Sequence, residues 1–276
     1  VLAAGDPQPD RLQRLAAWLS SASNERFAVT QANRVWAQLM GQGVIDPIDD
    51  FRSTNPPSNS ELLNGLRDEF VTSNFNVRHL MRVIMNSKVY QLSSTPNDTN
   101  ANDSVSFAKV PLRRLTAEQT LDAIGGVGDI PIEFGGHDSG TRAVQLKGVR
   151  NGGHRYSPPE IGDRFLRLFG KPNRLQTCEC ERTNETTLAQ TFEMVSGELV
   201  SKLLNQSNNR IDRLLVAKKS DAEIIEDLYW AALSRSPTEA ELKALWNYVS
   251  QQKDRSRGLE DVAWSLLNSN EFLLRR

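Results

Sequence analysis

Two stretches of this chain, nearly two hundred residues apart, carry the same helical pattern. A repeated supersecondary unit constrains the fold more than any single motif, because each copy must bury its apolar face in the same way. The first copy runs Trp36-Ala37-Gln38-Leu39, then Pro57-Ser58-Asn59-Ser60-Glu61-Leu62, then Met85-Asn86-Ser87 with Tyr90 and Leu92. The second runs Trp230-Ala231-Ala232-Leu233, then Pro237-Thr238-Glu239-Ala240-Glu241-Leu242, then Leu267-Asn268-Ser269 with Phe272 and Leu274. Proline to asparagine is 29 residues in one copy and 31 in the other, and the first holds about 14 extra residues in its Gly41 to Asn55 loop. Each copy predicts three helices, the first with a tryptophan followed by a small residue, the last ended by Asn-Ser and an aromatic that folds back onto the core. Nothing in the pattern resembles a catalytic acid, base or nucleophile.

The rest of the chain fits a soluble globular protein built mainly of helices. Lys plus Arg is 33 against 34 for Asp plus Glu, a formal charge of −1, which gives no global footprint for nucleic acid or an anionic membrane. No apolar run approaches the roughly 20 residues that span a bilayer. The chain opens on Val1 without an initiator methionine or signal peptide and reads as a piece of something longer. Its two cysteines make no disulfide framework and leave the redox compartment open.

Periodicity predicts helices over Arg11 to Leu19, with Leu12, Leu15, Ala16 and Leu19 on one face, and over Phe27 to Met40, stopped by Gly41-Gln42-Gly43. Ser58 with Glu61 reads as a capping box opening a helix whose stripe is Leu62, Leu66 and Phe70. Asn76 caps the next, with Leu80, Val83, Ile84 and Val89 inward. Ser93 to Ser106 reads as an exposed polar linker, and Thr116 with Gln119 opens a short helix through Ile124. Further on, Glu185 to Leu204 reads as one long helix and Asn208 to Ala217 as a shorter one. Helices capped by Ser220 with Glu223 and opened by Ser236 to Glu239 follow, and Leu259 to Leu274 closes the chain. The fold expected is all-α: two related multi-helix units joined by an irregular glycine-rich centre with at most short strands. Its segments are 1–124, 125–182 and 183–276, within one compact domain of a longer protein.

Nine of the 17 glycines lie between Gly125 and Gly153. A long segment of this kind inside a compact domain is usually functional or disordered. Phe134, Val144, Leu146, Tyr156, Phe165, Leu168 and Phe169 give it something to bury, which favours function, with a strand-like piece at Ala143 to Leu146 and a helix at Ile161 to Phe169. Candidate chemistry gathers here. Cys178-Glu179-Cys180-Glu181-Arg182 joins thiols to carboxylates, both metal ligands, after a stretch from Arg142 to Arg174 with eight basic and two acidic residues. Structural packing or a disulfide is its first reading; metal ligation with His137 and His154 and a reactive thiol are the alternatives. His137 and His154 each follow a glycine pair, where surface turns compete with a ligand loop, whereas His79 falls beside a buried stripe. Arg142, Arg150, Arg155, Arg164 and Arg167 could grip an anionic group such as a sulfated or carboxylated glycan, or pair with the chain's own acids. Asp46, Asp49 and Asp50 lack the spacing of a calcium loop and suit turn-making. No Gly-x-Ser-x-Gly, phosphate loop or His-Glu-x-x-His is present.

Two resemblances follow from these residues. Leu228-Tyr229, Ala232-Leu233-Ser234-Arg235, Glu241-Leu242 and Leu267-Asn268-Ser269-Asn270-Glu271-Phe272 resemble the short repeats of bacterial surface proteins related to phycobilisome linkers. The wider set begins with Asn33-Arg34-Val35-Trp36-Ala37, Asp46-Pro47-Ile48-Asp49-Asp50-Phe51-Arg52 and Asn55-Pro56-Pro57-Ser58. It continues with Arg142 to Leu146, Phe165 to Pro172, Cys178 to Arg182 and Asn184 to Gln190. Over nearly its full length the chain resembles the planctomycete-type C-terminal domain of unknown function, family number 1553, from large envelope proteins that carry a cytochrome-c-like domain. That resemblance implies an extracytoplasmic location, periplasm or cell surface, and a covalent neighbour that can hold haem. It transfers no catalytic residue. This chain lacks Cys-x-x-Cys-His and attaches no c-type haem itself, so no cofactor is expected in it. The expected function is a non-catalytic interaction or scaffolding domain whose partners are other domains of its polypeptide or envelope proteins. A redox or hydrolytic domain around the Cys-Glu-Cys-Glu-Arg run, and an anionic polysaccharide binder, are the alternatives. Neither nucleic acid nor membrane insertion is expected.

Overall fold

The computed structural model describes residues 8–146, 158–171 and 186–275. Over these the protein is all-α, as the periodicity predicts, with two-residue strands at Arg113–Arg114 (β1) and Leu274–Arg275 (β2) and a 3-10 turn at Ala143–Gln145. Two compact units divide it, one ending at Arg113 and the other running from Arg114 to Arg275.

The first unit holds α1 (Gln8–Leu19), α2 (Glu25–Met40), α3 (Ser60–Thr72) and α4 (Val77–Met85). Its core is the shared interior of α2, α3 and α4, where Trp36, Met40, Leu66, Phe70, Leu80 and Ile84 meet. Gly41 ends α2 in the left-handed conformation and donates its N–H to the Ala37 carbonyl, the stop that a glycine permits without strain. Two sequence expectations shift here. The cap of α3 is Asn59, whose side chain accepts from Leu62 N–H at 2.9 Å, because the Ser58 hydroxyl donates to the Val44 carbonyl across the loop instead. That moves the buried stripe to Leu63, Leu66 and Phe70, with Leu62 half-buried, and leaves Val83 of α4 exposed. Between Ser93 and Ser106 the chain is mostly exposed, and its turns are hydrogen-bonded: Asp103 accepts from Ser106 and Ala108 N–H. Those backbone donors hold its carboxyl down at about 2. The segment delivers Phe107 edge-on to Trp36, with ring centroids 5.2 Å apart.

The second unit holds α5 (Ala117–Gly128), α6 (Ile161–Leu168), α7 (Leu188–Ser196), α8 (Glu198–Asn205), α9 (Arg210–Val216), α10 (Asp221–Leu233), α11 (Glu239–Gln251), α12 (Arg255–Leu267) and α13 (Asn270–Leu273). Capping boxes at Thr116/Gln119, Ser220/Glu223 and Thr238/Glu241 start α5, α10 and α11. The expected long helix over 185–204 is two helices, α7 and α8. Gly197 takes an extended conformation between them, where a Cβ would come within 2.2 Å of the Glu193 carbonyl oxygen. The closing helix likewise ends at Asn268 and restarts as α13. The strand-like Ala143 to Leu146 is a turn because the Asp122 carboxylate accepts from the N–H groups of Ala143 and Val144. Much of the glycine-rich centre belongs to this unit's interior. Ile130, Ile132, Phe134, Phe165 and Phe169 are core residues, and Phe165 stacks on Phe169 at 4.0 Å. Val144 is exposed, and Tyr156 lies outside the described residues.

The repeat is real in structure but slips in register. The left-handed C-caps Gly41 and Ser234 donate to Ala37 and Trp230, so Trp36 corresponds to Tyr229 and not to Trp230. Accordingly Trp36 and Tyr229 are buried, whereas Trp230 is 54% exposed. With the caps Asn59 and Thr238 superposed, Leu63, Leu66 and Phe70 match Leu242, Leu245 and Val249. At the third element the serine, rather than the asparagine, is the shared device. Ser87 and Ser269 each donate a hydroxyl to the carbonyl three residues back, at 2.6 and 2.8 Å, and accept from the N–H three residues on. Asn86 and Asn268 themselves keep negative φ.

Asn33, fully buried, fastens the 41–51 loop: its amide donates to the Ile45 and Ile48 carbonyls at 2.9 Å each and accepts from Ile45 N–H at 3.0 Å. Replacing it with alanine leaves those backbone groups without partners, at a cost of about 3 kcal/mol. Asn33→Ala should therefore accelerate amide hydrogen exchange across residues 41–51 and lower the melting temperature. Amide exchange in α10 to α12 should stay unchanged.

Candidate functional site

The residues that carry the family resemblance hold each unit together from within. In the first unit Arg34 makes two hydrogen bonds to Asp49, at 2.8 and 3.1 Å, and Arg52 pairs with Asp50, whose carboxyl is thereby held below its usual value. Asn55 donates to the carbonyls of Asp46 and Asp50. The acidic cluster Asp46, Asp49 and Asp50 is thus a turn built on paired charges and carbonyls. His79 is part-exposed, with Nε2 2.5 Å from Glu69.

In the second unit Arg235 follows the left-handed Ser234 and reaches two carboxylates at once. Its guanidinium donates to both oxygens of Glu241 (2.9 and 2.8 Å) and to both of Glu271 (2.8 and 2.9 Å), while standing 5.3 Å over the Tyr229 ring. Glu241 closes the α11 capping box as well, and Arg235 foremost holds its carboxyl down at about 2. Planar bidentate pairing is the geometry a guanidinium suits best. The cluster fastens the α10–α11 turn and α13 to the start of α11.

The central candidates separate. Asp163, 1% exposed, accepts through Oδ2 from Gly135 N–H at 2.7 Å and Glu160 N–H at 3.0 Å. Its Oδ1 and the Nε2 of His137, two residues beyond Gly135, are buried without a hydrogen-bond partner. Gly135 is required there, since a Cβ would lie 2.5 Å from the Pro158 carbonyl oxygen. Arg142 stands 3.5 Å from Asp122 and Arg164 3.0 Å from Glu198, so both are taken up by the chain's own acids, and Arg167 is exposed. Cys178, Cys180, His154, Arg150 and Arg155 lie outside the described residues. Among the described residues no three His, Cys, Asp or Glu side chains are grouped to hold a metal ion.

The sequence reading missed an exposed apolar surface on α7. Leu188, Phe192 and Val195 recur at i, i+4 and i+7 along α7 and are 71, 60 and 47% exposed, while Gln190 and Met194 face inward. Trp264 of α12 continues the stripe and donates its indole N–H to the Val195 carbonyl at 3.0 Å. Beside them opens a groove of about 340 Å³ between α8 and α12, with Val200 and Leu204 on one wall and Arg257, Glu260 and Asp261 on the other. Burial raises the Glu260 carboxyl above its ordinary value; Ser256 donates to it at 3.4 Å, and Asp254 and Asp212 add repulsion that Arg257 opposes. An apolar helix face beside a partly desolvated carboxylate can receive an amphipathic helix. The signal in the sequence was an α7 that carries apolar residues on two faces.

The family model PSD1, described as protein of unknown function (DUF1553), matches residues 10–249. No curated protein and no solved structure matches the chain.

The Arg235 cluster makes acid stability testable. Glu241 has its folded pKa lowered from 4.5 to about 2, so its contribution is full above pH 4.5 and is lost as pH falls through about 2. Urea midpoints measured from pH 5 to pH 2 should fall less steeply for Arg235→Gln than for the parent protein. The variant should also start from a lower midpoint at pH 7.

Proposed function

The chain belongs to the PSD1 family of proteins of unknown function (DUF1553), and from that premise we propose that it is a non-catalytic interaction or scaffolding domain of a larger extracytoplasmic protein. The observation that carries this reading is the α7 face, where three large apolar side chains stand in solvent beside Trp264 and a groove. Isolated apolar residues on a surface are ordinary, but a stripe that continues from one helix to the next is the mark of a docking face. The internal use of the shared motifs supports it further: Asn33, Arg34, Asp49, Arg235, Glu241 and Glu271 shape and stiffen the units rather than converging on a reacting atom. The partners proposed are other domains of the same polypeptide, including a haem-bearing one, and envelope proteins. No helix among the described residues is long and apolar enough to cross a membrane.

A redox, metal or hydrolytic role for the centre remains the second reading, and one observation favours it: the unpartnered buried atoms of Asp163 and His137. Metal analysis with a thiol count before and after reduction tests it; a metal-free protein with inert or disulfide-bonded cysteines removes the metal and thiol versions. For an anionic glycan, the exposed Arg167 is the described candidate, and salt-sensitive binding lost on Arg167→Ala would be its sign.

A photo-crosslinking side chain placed at Phe192 tests the main reading in the intact polypeptide. Discrete adducts with one partner are expected, together with their loss when Trp264 is replaced by Asp. A position 192 that crosslinks to no protein overturns it.

A further inference from the structure

Building on the reading of α7 as a docking face, we propose that its occupant is α1 of a second copy of this chain, so that copies associate head to tail. The helix α1 is itself without a place in the first unit's core: none of its residues is buried, and Leu12, Leu15, Trp18 and Leu19 are 57, 37, 59 and 43% exposed. Leaving two apolar helix faces open on one chain is unfavourable, at about 25 cal/mol per Å² of apolar surface, and each can cover the other.

Their spacings agree. Along α1 the stripe steps three residues from Leu12 to Leu15 and four to Leu19. Along α7 it steps four from Leu188 to Phe192 and three to Val195, so an antiparallel pairing brings the two sets into the same order. Twelve residues of α1 span about 18 Å, enough to run the nine residues of α7 and continue over the adjoining groove.

Charge agrees as well. Arg11 lies four residues before Leu15 and seven before Trp18, in the same column of the helix surface. Across from it, among the described residues, the groove offers Glu260 and Asp261, the latter already accepting from the Tyr248 hydroxyl at 2.7 Å, against one cation, Arg257. Glu260 is a half-buried carboxylate surrounded by Asp254, Asp212 and Arg257, and it accepts from the Ser256 hydroxyl at 3.4 Å. A guanidinium arriving on an apolar helix adds a second cation beside Arg257, where Glu260, Asp254 and Asp212 outnumber it. Because donor face and acceptor face differ, the contact is heterologous and leaves one of each free at the ends of any open assembly.

The test uses the whole chain, with mass measured by sedimentation velocity up to about 100 μM, where helix-in-groove contacts of modest size are populated. The parent should grow past dimers as concentration rises. Leu15→Asp removes the donor face and Phe192→Asp the acceptor face; both positions are exposed, and unchanged helical circular dichroism would show that the fold is kept. Each variant alone should associate at least ~10-fold more weakly. Mixed in equal amounts, the two should form a one-to-one dimer and nothing larger, since one intact face remains on each. Arg11→Glu should weaken assembly and Glu260→Arg should restore it. A monomeric parent, assembly unaffected by either Asp variant, or a mixture that stays monomeric overturns the proposal. A monomeric parent that still crosslinks to another protein from position 192 rejects the second-copy occupant while leaving the interaction reading intact.

Discussion

Short helices leave a large share of their backbone donors and acceptors without partners of their own. Among the described residues helices of four to sixteen residues make up nearly all the regular structure, so closing their ends is the constraint on which the rest depends. Hydrophobic packing alone cannot meet it, because a buried orphan N–H or carbonyl costs as much as several methyl groups contribute. Side chains therefore do the closing. Asn24, Asn59, Asn76, Thr187, Asn209 and Ser269 each accept from a backbone N–H at a helix start, in both units. Arg113 does the reverse at a helix end, donating to the Leu39 carbonyl at 2.5 Å, and half-burial of its guanidinium lowers its pKa.

The two units solve the same packing problem with different chemistry in their turns. In the first, the long connection between α2 and α3 wraps around a neutral amide, Asn33. In the second, the connection between α10 and α11 is short and is secured by one guanidinium between two carboxylates. The Asn33 amide is buried and does not titrate, although the Arg34–Asp49 and Arg52–Asp50 pairs engage the same loop, whereas the Arg235 cluster is partly exposed and tied to the ionisation of Glu241. What the units share is a serine that ends one helix and begins the next segment. Its hydroxyl serves a carbonyl and an N–H together, which asparagine at the preceding position does not do.

Fold class was legible because local signals agreed with the global pattern: glycine stops, capping boxes and a 3.6-residue apolar period all pointed to helices. Capping boxes at Thr116 and Ser220 stand as read from the sequence, and the helix start expected over Ser236 to Glu239 is closed by a third, at Thr238. The errors came where two residues could do one job. Ser58 and Asn59 are both good caps, and a loop carbonyl at Val44 took the serine. Trp230 matched Trp36 by identity, yet tyrosine fills the equivalent interior position, because burial follows helix geometry rather than residue name. The candidate surface was hidden for a related reason. Periodicity reports that a face is apolar, and only the arrangement of neighbouring helices determines whether anything covers it. Of the central site, Asp163 lay unremarked beside Gly162; its role depends on the approach of Gly135, a contact 28 residues away in sequence.

Gly197 carries a consequence beyond the break it makes. In an uninterrupted helix Leu188, Phe192 and Val195 would stand in one column with Leu199 and Leu203, and the whole column would enter the interior together. With the glycine extended between the halves, Leu199 and Leu203 go to the core and the first three turn to solvent. One residue without a side chain thus partitions a continuous apolar column between inside and outside. The protein acquires an outward apolar face from the same sequence run that supplies its interior.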